Sequence, residues 1–205
     1  MSPQPEDSCA PAHYSSPTEA SEFSPDEHAL LLQLAHDSIL ASLENRAISL
    51  DSPSAHLAES RGVFTTLYLN NALRGCVGYV FPISSVYRAV AETAVAAAFQ
   101  DGRFPPVSAE EAPYLKVSLS ILSPLKPIRP EEIEIGLHGL LVSQSGQRGL
   151  LLPQVPIEHQ WDRTTFLEQT CRKAGLPRDA WRDPLTNIFG FTCEIFHEDA
   201  AAPPC

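Results

Sequence analysis

Three short segments carry side chains whose types and spacing could do chemistry. The most informative is Leu73-Arg74-Gly75-Cys76-Val77-Gly78. On a strand, Arg74 and Cys76 project from the same face, because side chains alternate with period two. A guanidinium beside a thiol favours the thiolate, the form that acts as nucleophile. Gly75 and Gly78 remove side chains and leave room for a ligand or another backbone. The competing reading is a small buried cysteine in a tight strand, with Arg74 pairing at the surface.

The second segment is Asp101-Gly102-Arg103-Phe104-Pro105-Pro106. Its prolines stiffen an extended loop, and Phe104 could anchor it while Arg103 faces an anionic group. Alternatively, the loop is a rigid turn that plugs Phe104 into the core. In the third, Gly136-Leu137-His138-Gly139, the histidine is either a general acid or base or a hydrogen-bonded turn residue. Leu151 to Val155 and Trp161-Asp162 read as a strand end, a turn and a cap. Adjacent Glu110 and Glu111 would not face each other as an acid pair on a helix. The chain has no G-x-G-x-x-G, Walker, H-E-x-x-H or G-x-S-x-G motif, so nucleotide, zinc-protease and serine-hydrolase readings have no support.

The elements that must position these residues follow from caps, turns and periodicity. Ser24-Pro25-Asp26-Glu27 is a capping box with proline at the first helical position, and the apolar spacing predicts a helix to about Leu43. Val63 to Leu69 and Leu73 to Phe81 read as strands joined by Asn70-Asn71, residues that tolerate positive φ. Ser84 or Ser85 starts a second helix that stops near Asp101-Gly102. Ser108-x-x-Glu111 is another capping box, which Pro113 restricts to a single turn. Leu115, Val117, Leu119 and Ile121 alternate as a half-buried strand.

Pro124 to Pro130 reads as a stiff connector, and Glu131, Glu132 and Glu134 as a solvated surface. Leu140 to Ser143 and Arg148 to Leu152 form a hairpin around Ser145-Gly146. Asp162 caps a helix carrying Phe166, Leu167 and Cys171 that Gly175 terminates. Ile188 to Phe196 reads as one last strand with Phe189, Phe191, Cys193 and Ile195 on one face. Hairpins outnumber crossovers, so the expected fold is α+β with largely antiparallel sheets.

The charge is unevenly spread. Of 25 acidic residues, eight lie in the first 27 positions or at Glu198 and Asp199, leaving 17 acids against 14 bases in the body. A weakly acidic body lacks the basic stripe that drives phosphate binding, which argues against DNA and leaves only a small RNA site open. The densest basic group, Arg172, Lys173, Arg178 and Arg182, reads as a solvated helix end. Cys9, Cys76, Cys171, Cys193 and Cys205 form no C-x-x-C pair and no zinc knuckle, so no metal site is expected. Free thiols, no signal peptide and no long apolar run point to a soluble cytoplasmic protein. Residues 1–22 read as a disordered acidic tail and 199–205 as a flexible one.

Together these segments resemble the AMMECR-one family. The carriers are Leu73 to Gly78, Asp101 to Pro106, Gly136 to Gly139, Leu151 to Val155, and Ala174-Gly175-Leu176 continuing to Trp181-Arg182-Asp183-Pro184. Tyr79 departs from the family's pattern, where a small threonine is common. The resemblance implies two lobes with mainly antiparallel sheets packed by helices, spanning 23–198. The larger lobe would come from both chain ends, with a smaller one inserted. It implies no established reaction, but it does imply a pathway with Memo-type and radical-SAM partners. The family's usual functional suspect carries over to Arg74, Gly75, Cys76 and Gly78; Arg103, Phe104 and His138 join them on the residue reading. The leading expectation is an anionic small molecule or modified nucleotide bound near Cys76 and Arg74, with Cys76 as candidate nucleophile. The alternative is a non-catalytic adaptor that offers the same surface to a partner protein or RNA.

Overall fold

A computed structural model describes residues 21–198; the remainder of both expected tails, with Cys9 and Cys205, lies outside the described residues. The first helix, α1 (Pro25–Leu43), opens on the expected capping box, with Ser24 accepting from the Glu27 amide and Glu27 returning to Ser24. Ser21 and Glu22, which the sequence assigned to the tail, are held in place. The Ser21 hydroxyl and the Glu22 amide donate to the Glu194 carboxylate at 2.5 and 2.8 Å.

Strands β1 (Val63–Leu69) and β2 (Ala72–Tyr79) pair antiparallel across a turn in which Asn70 and Asn71 have φ of 52° and 63°. Helix α2 (Val86–Phe99) follows, capped by Ser85. Strand β3 (Leu115–Leu122) returns beside β1, after a single 3-10 turn at Ala112–Tyr114. The chain then builds a second sheet from β4 (Lys126–Pro127), β5 (Gly139–Gln144), β6 (Gln147–Leu151) and β7 (Asn187–Phe191). Between β6 and β7 lie α3 (Gln154–Glu158) and α4 (Arg163–Lys173), the latter capped by Asp162 and ended by Gly175 at φ 76°. Strand β8 (Cys193–His197) goes back to the first sheet. The strand orders are β2-β1-β3-β8 and β4-β7-β5-β6, and every pairing is antiparallel. The fold is therefore α+β, and no helix among the described residues is long and apolar enough to cross a membrane.

Three local readings need correction. The single strand expected from Ile188 to Phe196 breaks at Thr192, and its halves join different sheets. Phe196 rather than Ile195 then enters the core, since Ile195 is 37% exposed and Phe196 7%. The expected connector contributes β4, an edge strand of two residues, where proline is tolerated because one side needs no donor. Leu152 to Val155, read as a strand end and turn, opens the short helix α3.

In the first sheet, Val63, Thr65, Leu67, Val117, Leu119 and Ile121 are buried under α1 and α2. Strand β8 and the residue that follows it are tied to α1 by two histidine–carboxylate hydrogen bonds, His28–Glu194 and His36–Glu198, both at 2.7 Å. The fit is geometric. Residues 28 and 36 stand about 12 Å apart along a helix axis, and residues 194 and 198 about 13 Å apart along a strand. The second sheet packs α4 against β5 and β6 around Phe166, Leu167, Cys171, Ile133 and Leu140.

Candidate functional site

Strand β2 is an edge of the first sheet, and the candidate residues sit along it. Alternation and register place Phe64, Thr66 and Tyr68 of β1 on the helix-free face, with Ser118 and Ser120 of β3 beside them. Cys76 lies opposite Thr66, and its half-exposed thiol accepts a hydrogen bond from the Thr66 hydroxyl at 3.3 Å. The same row continues through Ser118 to His197. Three strand spacings put His197 about 14 Å from Cys76, too far for a cysteine-histidine pair.

Arg74 does not share that alternation. Leu67 pairs with Gly75 and Tyr68 with Leu73, so Arg74 is the extra residue of a β-bulge. Its side chain is only 9% exposed and is committed to Glu111 through two bonds, Nε at 3.2 Å and Nη2 at 3.0 Å. Glu111 also accepts from the Ser108 amide, closing the expected capping box. First the Arg74 guanidinium, then that amide, hold its carboxyl below the usual range.

The cation that reaches Cys76 is Arg103. Asp101, two residues past the end of α2, accepts from the Cys76 amide at 2.8 Å and from the Arg103 guanidinium at 2.6 and 2.9 Å. The Arg103 Nη2 in turn lies 3.5 Å from the Cys76 carbonyl oxygen. On the open edge of β2, Asp101 and Arg103 therefore stand where a further strand would. The Asp101 side chain is 7% exposed and that of Arg103 58%. The Arg103 guanidinium, with the Cys76 amide second, holds the Asp101 carboxyl far below the ordinary carboxylate range. Phe104 is half-buried with the Arg103 guanidinium over its ring, and the loop's buried anchor is Val107, bonded to the Ala98 carbonyl.

The candidate glycines are filled by protein rather than open. A Cβ on Gly75 would overlap the Ala97 carbonyl of α2, and one on Gly78 the Phe64 ring. His138 stands apart, just before β5 in the other sheet, where its Nδ1 accepts from the Glu134 amide at 3.0 Å and closes a turn. The structure thus brings Cys76 and Arg103 together and packs Gly75 and Gly78 around them. Arg74 goes to Glu111, and His138 to a separate turn. Sequence reasoning gave Asp101, Thr66 and Glu111 no part in a site. The available signal was Asp101 two residues before Arg103, a spacing that lets a carboxylate bond the following loop.

Comparison with known proteins gives concordant matches. A sequence model described as AMMECR1 matches residues 32–196. Protein TK0174 from Thermococcus kodakarensis is 46% identical over 165 residues, covering 75% of this chain and 80% of that protein. Protein MK0488 from Methanopyrus kandleri is 40% identical over 190 residues, covering 87% and 92%. The crystal structure of the uncharacterized protein PH0010 from Pyrococcus horikoshii superposes with a TM-score of 0.71 at 41% identity, covering 83% of this chain and 90% of that one.

Proposed function

The chain belongs to the AMMECR1 family, and from that premise we propose that it binds an anionic small molecule or modified nucleotide at Cys76, on the helix-free face of the first sheet. One observation carries the reading: buried Asp101 fixes both the Cys76 amide and a guanidinium that is itself largely exposed. An incoming anion competes with Asp101 for Arg103, while the Cys76 thiol faces the ligand beside Thr66. Arg74 is then a positioning residue that holds the bulge through Glu111. The proposal includes one domain over 23–198, with the larger lobe drawn from both chain ends. The return of β8 to the first sheet supports that division. It also includes the pathway with Memo-type and radical-SAM proteins that the resemblance implies.

Alkylation of the native protein, resolved by mass spectrometry, tests the thiol. Burial pushes the Cys171 thiol up and the Cys193 thiol up to about 12. Cys76 should therefore react at least about tenfold faster than either at neutral pH. Labelling of Cys76 only on unfolding would overturn the reading. A second reading, a non-catalytic adaptor for a partner protein or RNA, is favoured by Leu73, which is 42% exposed in the row next to Cys76. Under it, capture of a partner survives Cys76→Ser and is lost in Arg103→Ala.

A further inference from the structure

The two edges of the first sheet are treated differently. At β2 the edge is occupied by Asp101 and Arg103. At β8 the only strand partner among the described residues is β3. The Glu198 amide bonds the Val117 carbonyl and the Ser123 amide bonds the Thr192 carbonyl, so residues 192, 194, 196 and 198 turn their polar backbone toward β3. By alternation, Cys193, Ile195 and His197 turn theirs outward. Strand β8 carries no proline, lysine or bulge, the usual guards of an open edge. Its inward carboxylate, Glu194, is bonded to the His28 ring, and the bonds from Ser21, Glu22 and Phe23 reach that side chain rather than the strand backbone.

We propose that β8 pairs antiparallel with β8 of a second copy of this chain, about a two-fold axis at Ile195. The register follows from charge. Centred on Ile195, Glu194 faces Phe196 and Glu198 faces Thr192, with no like charges opposed. Centred on Glu194, that residue faces its own copy; centred on Phe196, Glu194 faces Glu198, and opposed like charges destabilise an antiparallel pair. With Ile195 at the axis, the outward-turned pairs Ile195 with Ile195 and Cys193 with His197 each exchange two hydrogen bonds. The exposed Ile195 side chain then meets its own copy on the helix-free face. The product is one continuous eight-stranded sheet with both Cys76 faces on the same side, seven strand spacings or about 33 Å apart.

Light scattering coupled to size exclusion, from 1 to 200 µM as an order-of-magnitude range, reads the outcome. The unaltered protein should approach twice the 22.4 kDa of the single chain at the upper end. Ile195→Lys, which opposes two ammonium groups at the axis, should hold a single-chain mass throughout while keeping its circular dichroism. A single-chain mass for the unaltered protein at every concentration overturns the proposal, as does a double mass that Ile195→Lys leaves intact. Should Ile195→Lys fail to fold, hydrogen exchange on the unaltered protein decides. Exchange at the Ile195 and His197 amides should slow at least about tenfold from the lowest concentration to the highest, and concentration-independent exchange refutes the pairing.

Discussion

The two sheets repeat one device on their edge strands and use it to different ends. Both β2 and β6 press an inward glycine against a helix, where a Cβ on Gly75 would overlap the Ala97 carbonyl and one on Gly149 the Ala174 amide. Around Gly75 the strand is bracketed by two ion pairs, Arg74–Glu111 and Arg103–Asp101, which are mirror images in burial. The first hides its cation (9% exposed) and the second its anion (7% exposed). Around Gly149 no ion pair among the described residues brackets β6; Arg148 lies over the Phe81 ring instead. A glycine in a strand therefore signals close helix approach in both places. What distinguishes the candidate site is the pair of charge clamps, not the glycines.

The largest expected effect tests the shared device. Gly75→Ala and Gly149→Ala should each cost about 3 kcal/mol, the upper end for overpacking, because the obstruction is helix backbone and cannot swing aside. Gly102→Ala, with nothing within 4 Å of its Cβ, should shift thermal unfolding little. Equal tolerance of all three would show that the helices shift freely and break the comparison.

The difference between the clamps gives a smaller effect. Arg74→Ala strands Glu111 next to a buried bulge and should cost about 2–3 kcal/mol, discounted from a fully buried pair because Glu111 is 30% exposed. Arg103→Ala removes a mostly exposed cation but leaves the 7% exposed Asp101 carboxylate with only its bonds from the Cys76 and residue-103 amides, so it should cost about 1–2 kcal/mol while altering Cys76 labelling. Denaturant titration of both variants checks the order, and a larger loss for Arg103→Ala would reverse it.

The smallest effect is a pH asymmetry. In Glu194 and Glu198, burial raises the carboxyl pKa. Hydrogen bonds outweigh it, chiefly from Ser21 and His28 to Glu194 and from His36 to Glu198, and the net shift is downward. The Ser24 amide leads the lowering at Glu27. Depressed carboxylates stabilise fully above their unfolded value of about 4.5, and the contribution is lost as pH falls through the folded one. All of these belong to the first sheet and its helices; in the second unit the lowered carboxylates are Glu132 and Asp162, at the surface. Amide exchange between pH 5 and 3 should open β8 and α1 before β5 and β7, and Glu194→Gln should flatten that dependence.

Local structure was legible wherever one side chain decides it. Ser24, Ser85 and Asp162 cap the helices expected of them, Asn70-Asn71 and Ser145-Gly146 turn with positive φ, and Gly175 ends α4. What escaped depends on partners distant in sequence. The apolar run from Ile188 to Phe196 has no breaker at Thr192; the switch of sheet comes from Ser123, 69 residues away, whose hydroxyl accepts the Thr192 amide. Period two could not foresee the bulge at Arg74, since the extra residue is defined by the register of β1. Asp101 stood in plain view within a quoted motif. Its role as edge cap requires knowing that β2 is an edge.

The bond from the Thr192 amide to the Ser123 hydroxyl, with the Ser123 amide returning to the Thr192 carbonyl at 3.0 Å, marks where the chain leaves the first sheet and where it comes back. Departure and return share one spot, so the intervening stretch hangs as a closed loop of roughly 70 residues whose ends need almost no span. In gene-building terms this is a natural cassette. Joining Ser123 to Thr192 through a short glycine linker should leave the Cys76 half expressible alone, and exchanging the cassette between relatives should need the contact of Arg148 with the Phe81 ring of the host to be kept.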